Sequence, residues 1–372
     1  MRVHQMLPRL DAGDAVGNQV MAIHRLLLSW GYEARIFVED MDDFGRRYAL
    51  KDELYREFMD NPDDLVIYHY ALYCPNYRLF LESKNRKVLV YHNITPDHYY
   101  EGFFPVAARL CRLGREVLGE LKGVDLALGV SDFNRRELVE AGFPEERTGV
   151  LPIDPPLGKL DRLPESPRWR RWLEDGSTNL LFVGRVVPNK KVEDIIDLFL
   201  CYYRGVNARS RLVVAGSLPV NSYYACLRSR VRRLGLEGKV VFTGKVSDEE
   251  LKTLYKNSHY YVSMSEHEGF CVPILEAFHF GLPVLAYAAA AVPETMGGAG
   301  VLFDRKDYPL LAEFIGRLDR DEVTRRRILE AQRRRLEDFD SRKFQERLRQ
   351  IVERFLPSPG AGEERERSGV AG

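Results

Sequence analysis

At 372 residues the chain has room for two domains with separate cores, and its 45% hydrophobic and 30% charged residues are those of a water-soluble globular protein. Fifty-five basic and 55 acidic side chains leave no net field to attract nucleic acid, and five scattered cysteines (Cys74, Cys111, Cys201, Cys226, Cys271) fit reduced thiols better than a disulfide frame or a zinc site. No secretory leader precedes the first strand and no apolar run approaches the ~18 residues of a membrane span, so the expected location is cytoplasmic, with contact at the inner face of a membrane left open.

Residues 3–7 read as an opening strand, 11–18 (DAGDAVGN) as a loop and 19–30 as a helix with apolar residues at helical spacing. Gly31 caps that helix and 34–38 form the next strand. Strand, glycine-bearing loop, helix and strand make a Rossmann-like opening. Gly13 and Gly17 do not form G-x-G-x-x-G, and alone they describe a tight turn. Residues 64–69 (DLVIYH) and 87–92 (KVLVYH) read as buried strands ending in His69 and His92, at the carboxyl ends where ligands of open parallel sheets gather. An isolated strand-end histidine is ordinarily structural. Residues 105–122 form an amphipathic helix carrying Arg109, Arg112, Arg115 and Lys122, which suits a plain surface helix or one resting on anionic lipid. A strand at 125–130 and a helix capped by Ser131 follow, and Pro152, Pro155 and Pro156 stiffen what comes next.

Residues 157–177, rich in proline and charge, read as a crossover between domains. Strand 179–183 (NLLFV) opens a second sheet and runs into Gly184-Arg185 and Lys190-Lys191. Glycine there lets a ligand approach the backbone, and two cations five residues apart can close on a diphosphate. Further strands read at 212–215 and 239–246, then a capping box at Ser247 and Glu250. Residues 260–264 are a buried strand, 265–269 a polar loop, and Pro273 restarts the chain as a helix. The amides of Gly269, Phe270 and Cys271 would then sit at a positive helix end suited to phosphate. Glu276 lies in the opening turns and Glu268 just before them. Two such carboxylates can hold a ribose diol and sugar hydroxyls on either side of a diphosphate, although an isolated pair of this spacing is better explained by the helix dipole and solvation. The acidic pairs Asp40/Asp42 and Asp319/Asp321 mimic a metal-binding motif but read as solvent-facing. Residues 308–355 are helical and heavily charged, with acids among the arginines that favour a salt-bridged face over a nucleic-acid site. Phe344, Leu348, Ile351, Val352 and Phe355 stripe the last helix, and the tail from 357 is expected to be disordered.

Glu268-Gly269-Phe270, Pro273, Glu276-Ala277, Gly281-Leu282-Pro283-Val284 and Pro293-Glu294 together resemble the signature of the retaining GT-B glycosyltransferases of family four, E-G-F-G-x-P-x-x-E-A, then G-x-P-V, then P-E. Gly184-Arg185 with Lys190 matches that family's G-R-x-x-x-x-K, and Tyr91-His92-Asn93 its strand-end histidine. Cys271 and Lys191 stand where the family has glycine, and Pro152 to Pro156 replace its usual hinge. The resemblance implies an α/β GT-B fold: two Rossmann-like parallel-sheet domains facing across a cleft. Its acceptor domain would span 1–156, the linker 157–177 and the nucleotide-sugar domain 178–340, with a helix at 341–356 crossing back and a tail at 357–372. It implies a metal-independent retaining transfer of a hexose from a UDP- or GDP-linked donor to a saccharide or lipid-linked acceptor, in cell-surface or exopolysaccharide synthesis, without cofactor or nucleic-acid partner. By the same resemblance Arg185 and Lys190 hold the diphosphate, Glu268 the donor sugar, Glu276 the ribose and His92 the region of the reacting carbon. Gly13, Gly17, Gly184, Gly269, Phe270, Cys271 and Glu294 support the donor, and Lys245 and Val246 meet the base. The alternatives are a sugar-nucleotide-binding subunit without catalysis, and a GT-B phosphorylase or epimerase.

Overall fold

The computed structural model describes residues 1–11 and 13–357. Among the described residues the chain divides into two compact units, one made of Met1–Ile94, Arg109–Asp154 and 340–357, the other of Thr95–Ala108 and Pro155–Phe339. In the first, β1 (Val3–Leu10), β2 (Ile36–Met41), β3 (Ala49–Lys51), β4 (Leu65–Tyr70), β5 (Arg86–Tyr91), β6 (Leu126–Gly129) and β7 (Thr148–Val150) form a parallel sheet in the order β3-β2-β1-β4-β5-β6-β7. In the second, β8 (Thr178–Val183), β9 (Ser210–Ala215), β10 (Val240–Gly244), β11 (Tyr260–Ser263), β12 (Val284–Tyr287) and β13 (Val301–Phe303) are likewise parallel, in the order β10-β9-β8-β11-β12-β13.

Inner strands of a parallel sheet are covered on both faces, which is why β4 and β9 are buried at every position and carry the apolar runs 65–67 and 212–215. In each sheet the strand order reverses beside the first strand, between β1 and β4 and between β8 and β11. Those reversals are where ligand crevices open, beyond the carboxyl ends of the strands.

Four features differ from, or add to, the expectation. Helix α1 (Ala15–Ser29) begins ahead of residue 19, because the Asp14 carboxylate caps it, accepting from Val16 N at 3.1 Å and Gly17 N at 3.3 Å. Gly17 and Asn18 therefore lie in its first turn, not in the loop. Residues 157–177 fold as two short helices, Leu157–Asp161 and Pro167–Leu173, fastened within the second unit by Trp169 Nε1 to Glu250 at 2.9 Å and Ser166 N to Thr253 Oγ1 at 2.7 Å. The segment Thr95–Ala108 also belongs to that unit, with Ser222 Oγ donating to Phe103 O at 2.8 Å. The last helix, Ser341–Glu353, buries Phe344, Leu348 and Val352 in the first unit, and its Arg349 sits 5.0 Å from the Trp30 ring centre. The expected disorder of the tail concerns residues that, beyond Pro357, lie outside the described residues.

Candidate active site

In the second unit the ends of three strands are tied together. Gly184 N donates to Ala215 O at 2.9 Å, Val186 N to Ser217 O at 2.9 Å and Gly216 N to Gly244 O at 3.0 Å. Gly184 (φ +156°) and Gly216 (φ +142°) touch so closely that a Cβ on Gly216 would sit 2.0 Å from Gly184 O. Only glycine permits that approach. Arg185 follows immediately, exposed, its guanidinium without a salt bridge or hydrogen bond among the described residues. Lys245 and Val246 lie on the turn after β10, stitched to this assembly through Gly244.

A second loop, after β11, docks against the first. Asn189 Nδ2 donates to His267 O at 2.9 Å, and Asn189 O accepts from Glu266 N at 2.9 Å. This clamp sets the Lys190 ammonium 2.5 Å from Glu268 Oε1. Lys191 lies in the left-handed region (φ +49°) and caps the following helix, Val192–Gly205, so the geometry is one that glycine adopts freely. Its side chain turns to Glu266 at 3.3 Å. Lys306 reaches both Glu266 and Asp194 at 2.6 Å. Burial pushes the Glu266 carboxyl up, but the hydrogen bond and charge of Lys306 and the charge of Lys191 outweigh it and hold it below its usual range. Lys190 is thus the lysine that meets Glu268, and Lys191 is committed to Glu266.

Beyond Glu268, Cys271 is also left-handed (φ +71°) and caps the helix Val272–His279, with Pro273 in its first turn. The amides of Gly269, Phe270 and Cys271 have no acceptor among the described residues, which leaves the positive helix end open to an anion. The Phe270 carbonyl is held by the Thr295 hydroxyl, and Glu268 O by Ala291 N at 3.2 Å, so the short helix Val292–Met296 that carries Glu294 braces the same loop. Glu276 is buried, and burial raises its carboxyl to about 7 against the opposing hydrogen bond from Tyr255 OH at 2.7 Å.

The first unit holds the remaining candidates. Gly13 (φ +76°) stays in the loop after β1, while Gly17 lies in α1, where a Cβ would meet Asp11 O at 3.0 Å. His92 follows β5, buried, with Nε2 2.9 Å from His69 Nδ1. Burial lowers His92 to about 3 and His69 well below its usual value, so both rings are neutral. Asp319 is not merely solvated: it accepts from Tyr202 OH at 3.0 Å and Tyr260 OH at 2.5 Å. Asp40 pairs with Arg9.

Asn189, Tyr255, Glu266, Lys306 and Gly216 escaped sequence reasoning. Gly216 had a signal, a glycine directly after an apolar strand. Tyr255 had none, since its partner lies on a different helix.

The two parallel sheets, one in each unit, and their strand orders are those of a GT-B fold. Residues 168–335 match the model of glycosyl transferases group 1. This group 1 segment covers most of the second unit, including Arg185, Lys190, Glu268 and Glu276. Over 282 residues the chain is 26% identical to the O-antigen chain mannosyltransferase B of Escherichia coli, covering 73% of this chain and 72% of that protein. It is 29% identical over 203 residues to the GDP-mannose-dependent alpha-mannosyltransferase of Mycobacterium tuberculosis, spanning 54% of this chain and 48% of that one. Among solved structures, Anabaena HepE in complex with UDP and glucose superposes with a TM-score of 0.71 at 17% identity, over 95% of this chain and 99% of that one. The sucrose-phosphate synthase of Thermosynechococcus elongatus gives 0.72 at 17% identity, again over 95% and 99%. At that identity the likeness is one of fold, and the group 1 segment carries the sequence relation.

Proposed function

We propose that the protein is a retaining glycosyltransferase that moves a hexose from a GDP- or UDP-linked donor to a saccharide or lipid-linked acceptor in surface-glycan synthesis, without a metal. The observation that carries this reading is the Lys190 and Glu268 pair at the strand-order reversal of the second sheet, beside Arg185 and the amides of residues 269–271, which have no partner among the described residues. Arg185, Lys190 and those amides bind the diphosphate and stabilise the negative charge that grows on it as the glycosidic bond breaks. Charge stabilisation by side chains and backbone takes the part a divalent cation would otherwise play. Glu268 keeps its second oxygen for donor-sugar hydroxyls while Lys190 holds the first. Glu276 accepts from the ribose hydroxyls, with Gly184 and Gly216 letting the nucleotide approach the backbone and Lys245 and Val246 flanking the base. His92 hydrogen-bonds to the transferred sugar, and the leaving phosphate assists the incoming hydroxyl on the same face.

The names of the mannosyltransferase relatives make GDP-mannose the first donor to try. Transfer to an oligosaccharide acceptor is followed by NMR of the new linkage in metal-free and chelated buffer. An axial donor anomer conserved in the product, with turnover unchanged by chelator, supports the reading. An inverted anomer, or loss of turnover on chelation restored by a divalent ion, overturns the corresponding part.

A further inference from the structure

Three side chains of the first unit form a hydrogen-bonded line across adjacent strands. Gln5 on β1 stands opposite Ile67 on β4, and His69 on β4 stands opposite Val90 on β5. Because side chains alternate along a strand, Gln5, His69 and His92 project from one face, each two residues further toward the carboxyl edge than the neighbour of the one before. Gln5 Oε1 lies 3.0 Å from His69 Nε2, and His69 Nδ1 lies 2.9 Å from His92 Nε2. All three residues are buried.

The proton positions along this line follow from its far end. Gln5 Nε2 lies 3.1 Å from Val20 O, and a carbonyl oxygen only accepts, so the amide nitrogen must face Val20 and the amide oxygen must face His69. His69 Nε2 therefore carries a hydrogen and donates it to Gln5. Full burial keeps the His69 ring neutral, so its Nδ1 is a lone pair. That lone pair can only be served by a hydrogen on His92 Nε2. His92 is neutral for the same reason, which leaves its Nδ1 as an acceptor, and that atom is buried without a hydrogen-bond partner among the described residues.

A buried acceptor with no partner is costly and calls for a donor. We infer that Gln5 and His69 are positioning residues that lock His92 in the Nε2–H tautomer, so that its Nδ1 accepts a hydrogen bond from a hydroxyl of the bound sugar. From that atom His92 cannot donate, which excludes it as a proton donor to a leaving or ring oxygen. This inference rests on the proposed placement of His92 at the transferred sugar. It adds that the donor in the contact is the sugar's own hydroxyl, so a deoxy or fluoro sugar lacking that hydrogen loses the contact whereas an added acceptor gains nothing.

The test combines imidazole 15N correlation spectra of histidine-labelled full-length protein with steady-state kinetics of Gln5→Met and Gln5→Glu. Methionine keeps the volume and removes the acceptor; glutamate keeps an acceptor for His69. The wild type should show a hydrogen-free Nδ1 and a protonated Nε2 at His92, assigned by loss of its signals in His92→Gln. Gln5→Glu should preserve that pattern and most of the turnover. Gln5→Met should populate the other tautomer and lower kcat by about tenfold, with KM for the donor within about twofold. A protonated Nδ1 in the wild type, or Gln5→Met leaving both spectrum and turnover unchanged, overturns the inference. If Gln5→Met does not fold, the wild-type tautomer together with Gln5→Glu decides. The expected spectrum combined with full activity of His92→Gln instead overturns the placement of His92 at the sugar and leaves the tautomer lock standing, so the two failures are distinguishable.

Discussion

The Lys190 ammonium lies 2.5 Å from Glu268 Oε1, and both side chains are largely withdrawn from water, at 18% and 9% exposure. Each neutralises the other in the absence of substrate, and the main-chain clamp through Asn189 holds the two loops in register. Under the proposed function a dianionic diphosphate draws the same lysine. Lys190→Ala removes the cation and strands a buried carboxylate, so kcat should fall by about a hundredfold or more, while Glu268→Gln should fall less and mainly through the sugar. Because the two groups touch, the double variant should lose much less than the sum of the single losses. Steady-state kinetics of the four proteins read this directly, and additive losses would show that the pair does not act as a unit.

Glu276 titrates near 7 because it is buried, and this has a sign that can be checked. A carboxyl raised in the folded state adds stability below its unfolded value near 4.3, and that contribution is lost as pH rises through about 7. Over that window wild-type stability should decline by up to about 4 kcal/mol from this group, at 1.36 kcal/mol per unit, and Glu276→Gln should flatten the decline. With Glu276 at the ribose as proposed, donor binding runs the other way, since only the ionised carboxylate accepts from both ribose hydroxyls. Affinity for the donor should rise between pH 6 and pH 8 in the wild type, to be followed by calorimetric titration, and should be flat in Glu276→Gln.

Tyr255 holds Glu276 through a 2.7 Å hydrogen bond that favours the ionised form. Tyr255→Phe keeps the ring packing and deletes that bond. The Glu276 midpoint should move to higher pH, carrying the midpoint of donor binding with it, and affinity at neutral pH should drop several-fold. A pH profile of donor affinity superimposable on the wild type would disprove the coupling.

Gly216 and Gly184 meet backbone to backbone, and Gly216→Ala would drive a Cβ to 2.0 Å from Gly184 O. The strand ends must part, so the variant should lose more than about 3 kcal/mol in urea unfolding or fail to accumulate. Alanine at Gly142, where nothing lies within 4 Å, is the matched control for positive φ alone.

Much of this was legible in the sequence because apolar runs of parallel strands and the glycines that end them are local signals. β4, β5, β8 and β11 all begin within a residue or two of where alternation of apolar runs and turn residues places them. The loop residues Gly184, Arg185, Lys190 and Glu268 were legible through spacing and resemblance together. What was not legible depends on contacts distant in sequence. Asp14 capping moved the start of α1, a local event masked by the apolar spacing further on. The packing of 157–177 on the second unit depends on Glu250 and Thr253. The tautomer at His92 depends on Gln5 and Val20, and no periodicity announces it. Cys271 and Lys191, standing where the resembled family has glycine, proved to occupy the left-handed conformations that glycine would supply.

The most direct measurement is calorimetric titration of GDP-mannose and UDP-glucose into the wild type and into Arg185→Ala/Lys190→Ala. At least one donor should bind the wild type in the micromolar range and bind the double variant about a hundredfold more weakly or worse, since both cations of the diphosphate clamp are gone. Equal affinity in the two proteins, or no binding of either donor by the wild type, would mean that this loop does not grip a nucleotide sugar.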